Sequence, residues 1–483
     1  MRIHTIVFAI LVLAAGLSCS RGELPPPPAG VPPWPEWAFS HWVWYDDPAD
    51  CPKEPPGQTT QECYIQLVDD YLKRDIPVGA IIIDSTWETG FNTFNIDTNL
   101  FTTPATMIKW FHDRDVRVFL WVTTMINMDT PEEIALHDEA AEKNYFMTAG
   151  EGMSPAILDW WWGEKGGSLI DLFNPEALEW WHSKIDKALE LGIDGWKCDG
   201  AEYNVSLLEP YSPYLKKSVK RVEYSHAYYS DFFNYTREKL GNDRIITARP
   251  VDTYKMDPSK FSEDMLREWM SFAPREINWA GWVGDQDATF EGIRAALVNM
   301  YHSSRLGYVA FGSDIGGYDN DDNAPFGLKR TKELLLRWVQ LGAVCPVMEN
   351  GGNGEHRPWI FDDNYGGTET TDIYRTFVKL HYALIPYLMS EGARAFNEGV
   401  SLMRFLDAKD FQYFLGRDIF VAPILAEGGS VKISFPGSYY WVYLFDRSKV
   451  YKGGTTQTLT FPLSEYPVFL RKGSIIESTL KVP

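Results

Sequence analysis

The chain is 483 residues long, so one large domain with a smaller companion is the natural expectation. Hydrophobic residues make up 45% and charged residues 23%, as in ordinary globular proteins, which excludes a disordered chain. The formal net charge of -21 argues against nucleic acid and anionic membrane surfaces as partners, because both are bound by basic patches.

The first 36 residues have the pattern of a leader and a linker. Arg2, an apolar run at residues 6–13 and small residues at 14–16 predict a secretory signal peptide over residues 1–20, too short to span a membrane. Cys19 lies in an imperfect lipoprotein box, so lipid anchoring in a bacterial host stays open. Residues 21–36 include four consecutive prolines and predict a stiff linker. We therefore expect a secreted protein without a transmembrane segment.

The cysteines after the leader divide into two kinds. Cys51 and Cys63 flank a Pro- and Gly-rich loop, which an oxidising compartment closes easily, so we predict a disulfide between them. Cys198 and Cys345 lie in apolar runs and are expected to be inert buried thiols. No Cys and His spacing suits zinc, and the acidic loop at 319–323 lacks the Gly of a calcium loop, so no metal is expected.

From residue 37 onward, short apolar runs alternate with helical patterns, which is typical of β/α units around a parallel sheet. Eight strands are predicted, at residues 37–45, 79–84, 117–123, 195–199, 244–249, 278–285, 307–314 and 342–348. Amphipathic helices are predicted between them, including residues 62–74, 175–191, 226–240 and 331–340. The pattern predicts a (β/α)8 TIM barrel over residues 37–395.

The pattern changes after residue 387 to short alternating strands with turn signals between them. Such segments are predicted at residues 411–421, 431–435, 440–445 and 458–461. They indicate a small C-terminal antiparallel β domain, assigned to residues 396–483.

Two Gly-rich aromatic segments end in carboxylates, Gly195-Trp196-Lys197-Cys198-Asp199 and Trp282-Val283-Gly284-Asp285. Paired carboxylates beside a pocket are the minimum equipment for glycoside hydrolysis. The simpler alternative is that each Asp only caps a turn, since Asp is common at strand ends. The barrel favours catalysis, because its active-site face is where polar residues end five predicted strands. These residues are Asp84, Asp199, Arg249, Asp285 and Asp314.

An ordered set of motifs resembles glycoside hydrolase family 31, the retaining α-glycosidases. The resemblance runs from about residue 37 to 476, and single members of the set would be weak signals. The set comprises Ile81-Ile82-Ile83-Asp84-Ser85-Thr86-Trp87, Phe119-Leu120-Trp121-Val122, Asp171-Leu172-Phe173-Asn174-Pro175-Glu176, Gly195-Trp196-Lys197-Cys198-Asp199, Ala248-Arg249-Pro250, Trp282-Val283-Gly284-Asp285, Gly312-Ser313-Asp314-Ile315-Gly316-Gly317-Tyr318, Arg337-Trp338-Val339-Gln340 and the segment from Gln412 through Pro423.

The resemblance implies a retaining α-glycosidase that acts on oligosaccharides or glycosides without cofactor or metal. It makes Asp199 the nucleophile and Asp285 the general acid/base. Asp199 must stay ionised to attack, so a cation is expected beside it, and Lys197 and Arg249 are the two candidates.

The resemblance also implies a sugar pocket around these carboxylates. Asp84 is implied to accept hydrogen bonds from the sugar hydroxyls at positions 4 and 6, with Arg249 and Asp314 as supporting members. Trp121 and Trp282 are implied as stacking walls, although simple barrel packing explains either equally well. Lys197 precedes the nucleophile by two residues, so strand alternation predicts that it faces the pocket rather than solvent.

Three departures from the family pattern bear on the substrate. The β-sandwich that usually precedes the barrel is replaced by the leader and linker, which leaves the outer subsites open. Starch-type members carry Trp at the position of Lys197, and their Arg-Asn-His appears here as Glu349-Asn350-Gly351. The last two differences favour an α-xyloside, α-galactoside or sulfoquinovoside over maltose. The rival hypothesis is a catalytically silent carbohydrate-binding relative.

Overall fold

The computed structural model describes residues 32–48, 51–52, 56–160, 163–200, 209–253, 261–320 and 330–483. Its centre is a sheet of parallel strands, numbered here β1 to β8 in chain order. They are β1 His41–Tyr45, β2 Ala80–Ile83, β3 Arg117–Val122, β4 Gly195–Cys198, β5 Ile245–Ala248, β6 Ala280–Trp282, β7 Phe311–Gly312 and β8 Met348–Asn350. Hydrogen-bonded ladders join them in the order β7, β6, β5, β4, β3, β2, β1, β8.

A bridge between Asp314 and Glu349 closes the sheet into a barrel. The two residues pair in parallel, Asp314 just beyond β7 and Glu349 within β8. The backbone N–H of Ile315 donates to the carbonyl of Glu349 at 2.9 Å. The predicted (β/α)8 barrel is confirmed.

The register of the ladders decides which side chains enter the barrel. Paired residues on parallel strands point to the same face, and alternate residues of one strand point to the same face as well. Trp121 pairs with Lys197, and Lys197 pairs with Thr247. Two residues further along, β4 and β5 are followed by Asp199 and Arg249. One inward row therefore carries the candidate active-site residues of three neighbouring strands.

Helices connect and surround the strands, and their starting signals are visible in the sequence. They span Thr60–Lys73, Pro104–His112, Pro131–Glu142, Pro175–Leu189, Arg221–Leu240, Glu263–Trp269, Phe290–Arg305, Lys332–Gly342, Pro358–Tyr365 and Glu369–Glu398. Thr59 and Thr130 each form a capping box with the Glu three residues later. The four helices predicted from the sequence are all present.

Three barrel strands, the first, the seventh and the eighth, begin at least four residues later than predicted, the seventh at Phe311 instead of residue 307. Glu36–Phe39 forms a 3₁₀ turn, so the first strand starts at His41. The predicted eighth strand, residues 342–348, is wrong except at its last residue. Gly342 ends a helix and β8 begins at Met348. The apolar run between them is a buried connection, and a short buried run carries no periodicity that separates a turn from a strand.

The C-terminal β domain is confirmed, although the preceding helix continues through Pro386 to Glu398, past the predicted change at residue 387. A six-stranded sheet contains Met403–Phe405, Tyr413–Leu415, Ile419–Val421, Tyr440–Tyr443, Val450–Lys452 and Val468–Arg471. Ser430–Ser434 pairs with Thr456–Thr460, and all of these pairings are antiparallel. The predicted strand 411–421 is a hairpin of two strands. A short helix, Ile475–Thr479, follows the last strand.

Buried polar contacts fix this domain to the barrel. Arg337, on the helix before β8, donates to the backbone carbonyls of Phe461, Pro462 and Glu465. Gln340, one turn further along the same helix, donates to the carbonyl of Leu463 at 2.6 Å. One helix of the barrel thus holds the loop that leads into the last strand of the sheet.

The structure joins Cys51 and Cys63 in a disulfide, which confirms that prediction. Cys198 and Cys345 are free and fully buried, as expected. The predicted signal peptide, Cys19 and residues 321–323 of the acidic loop lie outside the described residues. Among the helices that the structure describes, none has the length and apolar character required to cross a membrane.

Candidate active site

Asp199 lies at the carboxyl end of β4 and is buried in the mouth of the barrel. Its Oδ2 accepts a hydrogen bond from the indole N–H of Trp121 at 3.2 Å. Its Oδ1 accepts from the backbone N–H of Gly200 at 2.8 Å and from Arg249 at 3.2 Å. Hydrogen bonds to a charged oxygen stabilise the charged form, so this environment supports an ionised Asp199.

Arg249 connects the two candidate catalytic carboxylates. The same guanidinium nitrogen, Nη2, donates to Asp199 at 3.2 Å and to Asp285 at 2.9 Å. Nη1 donates to Asp252 at 2.8 Å, and the guanidinium carbon lies 4.4 Å from the centre of the Trp282 ring. Of the two predicted cations, Arg249 is therefore the one within hydrogen-bonding distance of Asp199.

Asp285 differs from Asp199 in its exposure. Its side chain is 37% exposed, whereas that of Asp199 is 9% exposed. Gly284 makes this position possible because its φ is +102°, and a Cβ there would lie 2.0 Å from a carboxylate oxygen of Asp252. A half-exposed acid beside a buried carboxylate can exchange protons with water while its partner stays held.

Lys197 and Asp84 form a buried ion pair with a distance of 2.8 Å between Nζ and Oδ2. Burial raises the pKa of the Asp84 carboxyl to about 7, against the attraction of Lys197. Burial alone would lower the pKa of Lys197, but the attraction of Asp84, Glu349, Asp314 and Asp199 raises it above its ordinary value. Lys197 therefore stays charged and faces the pocket as predicted, with Asp84 as its ion-pair partner.

An aromatic wall that sequence reasoning missed covers Lys197. The Nζ lies 3.5 Å from the centre of the Trp44 ring. Trp44 stacks on Tyr318 with centroids 6.2 Å apart, and the Tyr318 hydroxyl donates to Asp46 at 2.8 Å. Alternation along β1 could have indicated that Trp44 faces the barrel interior. Tyr318 ends a motif that the resemblance already used. Asp46 carried no comparable signal.

Gly351 leaves room for this wall. A Cβ at this position would lie 2.3 Å from atoms of the Trp44 indole, far closer than side chains pack. The departure from the family's Arg-Asn-His motif thus has a structural consequence: the space that a side chain at 351 would take is filled by Trp44.

Asp314 and Trp282 occupy the inner side of the same pocket. Both are completely buried, and no oxygen of Asp314 contacts solvent. Glu349, which in the sequence only departs from the family's motif, lies beside Asp314 and is equally buried. All eight predicted site residues therefore converge on one end of the barrel. The remaining members, Trp121 and Arg249, are 1% and 2% exposed.

An acidic cavity of about 590 Å³ adjoins the candidate catalytic pocket. Ser85, the residue after Asp84, lines it together with Tyr318. Its acidic lining residues are Asp46, Asp47, Glu88, Asp129, Glu133 and Glu164, and the lining includes no Lys or Arg. Burial raises the pKa of Asp46 to about 6. Among the residues with described positions, no group of His, Cys, Asp or Glu is arranged to hold a metal ion.

Two models of a known protein family match this chain. Residues 32–391 match the family model for the glycosyl hydrolases family 31 TIM-barrel domain, and residues 402–476 match the model for the C-terminal domain of that family. Together these matches cover the barrel and the antiparallel sheets.

Individual relatives are more distant. An alpha-xylosidase from Emericella nidulans is 23% identical over 86% of this chain, and a sulfoquinovosidase from Escherichia coli is 29% identical over 76%. The chain covers 51% of the length of each of these proteins, about half. A crystal structure of a GH31 alpha-xylosidase from a soil metagenome, complexed with xylose, has the same fold, with a TM-score of 0.75 at 22% identity. That alignment covers 93% of this chain and 65% of the other.

Proposed function

Because the chain belongs to glycosyl hydrolase family 31, we propose that it is a retaining α-glycosidase that releases terminal α-linked sugars. Asp199 is the proposed nucleophile and Asp285 the proposed general acid/base. The roles of Asp84, Trp121, Lys197, Arg249, Trp282 and Asp314 in the sugar pocket belong to the same proposal.

The separation of the two carboxylates is the observation that carries the proposal. Both bond to Nη2 of Arg249, at 3.2 Å and 2.9 Å. The two bonded oxygens are therefore at most roughly 6 Å apart, which supports the ~5–5.5 Å spacing of the carboxyl groups in retaining enzymes over the ~6.5–9.5 Å of inverting ones. A short spacing favours direct attack by Asp199 over attack by a water held between the two carboxylates.

The reaction then proceeds in two displacements. Asp199 attacks the anomeric carbon, the bond to the leaving oxygen breaks, and Asp285 gives that oxygen its proton. Asp285, now ionised, takes a proton from a water whose oxygen attacks the same carbon and frees Asp199. Arg249 stabilises whichever of the two carboxylates is charged, because one of its nitrogens contacts both.

The charges around the pocket favour a neutral sugar. The acidic cavity next to Asp84 would repel a sulfonate at the sugar's C6, and the nearby cation, Lys197, is already paired. Of the three substrate classes left open by the sequence, we therefore favour an α-xyloside or an α-galactoside over a sulfoquinovoside. We further propose that the protein acts outside the cytoplasm, which the Cys51–Cys63 disulfide supports.

A panel of nitrophenyl α-glycosides tests the function. We expect turnover of a neutral α-glycoside and a kcat/KM for the sulfoquinovoside at least about tenfold lower, since a difference of ~1.4 kcal/mol suffices for that ratio. Binding of free sugar without turnover of any panel member would instead favour the catalytically silent relative.

A further inference from the structure

Asp314 and Glu349 are neighbours at the seam of the barrel, where β7 meets β8. They form the bridge that joins the two ends of the sheet, and both side chains are completely buried. None of their four carboxyl oxygens contacts solvent, and none has a partner within strict hydrogen-bond geometry among the described residues, although the Trp44 indole N–H is a looser donor toward Glu349. No cation of the described chain lies within ion-pair distance of either one.

The register places both carboxyl groups on the inner face of the barrel. Trp282 pairs with Gly312, so Asp314, two residues on, points inward, and its bridge partner Glu349 points to the same side. Neighbouring parallel strands are ~4.8 Å apart, so the two carboxyl groups lie within reach of each other.

Charged groups from several strands face this pair. Lys197 of β4, Arg249 after β5 and the buried Arg330 attract its negative charge, and Asp285 after β6 repels it. The Trp44 indole N–H on β1 also faces Glu349 and lowers its pKa. Lys197 and Arg249 hold Asp84, Asp199 and Asp285, so neither is available to neutralise the pair.

Two adjacent, fully buried carboxyl groups cannot both be ionised at moderate cost, because burial and mutual repulsion both oppose the second charge. A single proton between them removes the repulsion and provides the missing hydrogen bond. Such pairs titrate as a unit.

We propose that Asp314 and Glu349 share one proton and form a positioning pair that closes the barrel seam and sets one negative charge behind Lys197 and Arg249. The pair acts on catalysis through these two cations, in keeping with the supporting role that the proposed function gives Asp314 in the sugar pocket. Its effect on catalysis rests on the proposed function, whereas the shared proton does not.

The pH dependence of stability follows from the shared proton. Burial and the charge of Glu349 raise the pKa of Asp314, and burial raises the pKa of Glu349 to about 7. The folded chain therefore retains a proton that the unfolded chain loses near pH ~4. Stability contributed by this proton is complete below about pH 4 and is lost as the pH rises through the raised pKa of the pair.

Glu349→Gln tests the shared proton without requiring activity. Its amide donates permanently to Asp314 and has the same shape as the protonated acid. The free energy of unfolding, measured in urea from pH 4 to 8, should fall less steeply in this variant. The difference in slope should correspond to about one proton fewer than in the unmodified chain. Asp84, Asp252 and Glu88 titrate in both proteins, so only the difference is diagnostic.

Glu355→Gln is the matched control, because it removes the same charge from a nearby ion pair with Arg357. Its free energy of unfolding should fall with rising pH as much as that of the unmodified chain. Asp314→Asn is the second variant, and it should lose the same proton as Glu349→Gln. An unchanged decline in both pair variants overturns the proposal, whatever their activity.

The alkaline limb of the kcat/KM profile then tests the effect on catalysis. In the unmodified chain the pair gains a second charge at high pH, and this charge helps the general acid retain its proton. Glu349→Gln lacks that charge, so its alkaline limb should move to lower pH. If the variant has lost the shared proton but the alkaline limb of its kcat/KM profile does not move, only the proposed effect of the pair on catalysis is overturned.

Discussion

Arg249 donates from a single nitrogen to both Asp285 and Asp199, so the candidate acid/base and the candidate nucleophile depend on the same cation. In the proposed mechanism the proton leaves Asp285 for the substrate, and the guanidinium already lies 2.9 Å from the oxygen that becomes charged. Little rearrangement is therefore needed between the two displacements, which is the advantage of a preorganised charge.

Asp199→Asn and Asp285→Asn should each abolish most turnover, but they should respond differently to the leaving group. An activated leaving group needs no proton, so Asp285→Asn should keep the first displacement on a fluoride or dinitrophenyl glycoside. Asp199→Asn should lose it with every substrate. Burst kinetics on both substrate classes provide the measurement, and an identical response of the two variants would contradict the assigned roles.

Thermal unfolding provides the control for these two variants. Asn preserves the shape of Asp and removes a charge from an acidic pocket, so neither variant should lower the melting temperature. A large fall would mean that lost activity reflects lost structure.

Lys197→Met should weaken sugar binding and move the acid limb of the pH–rate profile to higher pH. The sign follows because removing a positive charge makes the neighbouring carboxylates Asp84 and Asp199 harder to ionise. A lost charged hydrogen bond is worth ~1.5–3 kcal/mol, so KM should rise by about tenfold or more. Steady-state kinetics over the pH range measure both effects.

Lys184→Met is the control for Lys197→Met, because Lys184 also forms an ion pair, at 3.0 Å from Glu139, but lies on an outer helix. It should leave the profile unchanged. If Lys197→Met also leaves the acid limb and KM unchanged, Lys197 does not act in the pocket, and the argument for a non-maltose substrate loses its main support.

Gly351→Ala should displace Trp44 from Lys197. The added Cβ would lie 2.3 Å from the indole, which is held from its other side by Tyr318. Overpacking of this kind costs ~1–3 kcal/mol, and KM should change because the aromatic wall moves. Gly150→Ala, whose Cβ would meet only the flexible end of Met153, is the control for urea unfolding and kinetics. Full stability and an unchanged KM in Gly351→Ala would remove Trp44 from the site.

Cys51→Ser should destabilise the chain by ~2–4 kcal/mol, because the disulfide closes a loop with a sequence separation of 12 residues. Reductant should have a similar effect on the unmodified chain and none on the variant. Intact-mass measurement with and without reductant checks the bond itself. Two free thiols at Cys51 and Cys63 in protein made under oxidising conditions would also weaken the case for secretion.

The sequence predicted the barrel and its catalytic end because both depend on local signals. Buried strands such as Ala80–Ile83 are apolar throughout, and the polar residue that follows each strand indicates the active-site face. Relations between distant strands were not predictable in this way. Trp44 lies on Lys197 because β1 and β4 both direct these side chains into the barrel, and nothing local to either strand records that contact.

Glu349 shows the same limit in another form. In the sequence Glu349 only departed from the family's Arg-Asn-His motif, and no signal indicated which residue it would contact. The bridge that closes the barrel places it against Asp314, 35 residues earlier in the chain. The predicted eighth strand was wrong in the same region, so the register that creates this pair could not have been derived from the apolar run at 342–348.

Covalent trapping tests the central claim most directly. A fluorinated glycosyl fluoride of the preferred sugar should inactivate the protein and leave one sugar attached, and peptide mass mapping should locate it on Asp199. The unmodified sugar, added afterwards as an acceptor, should restore activity as the intermediate turns over. A label on any other residue, or turnover with inversion and no trapped species, would contradict the account.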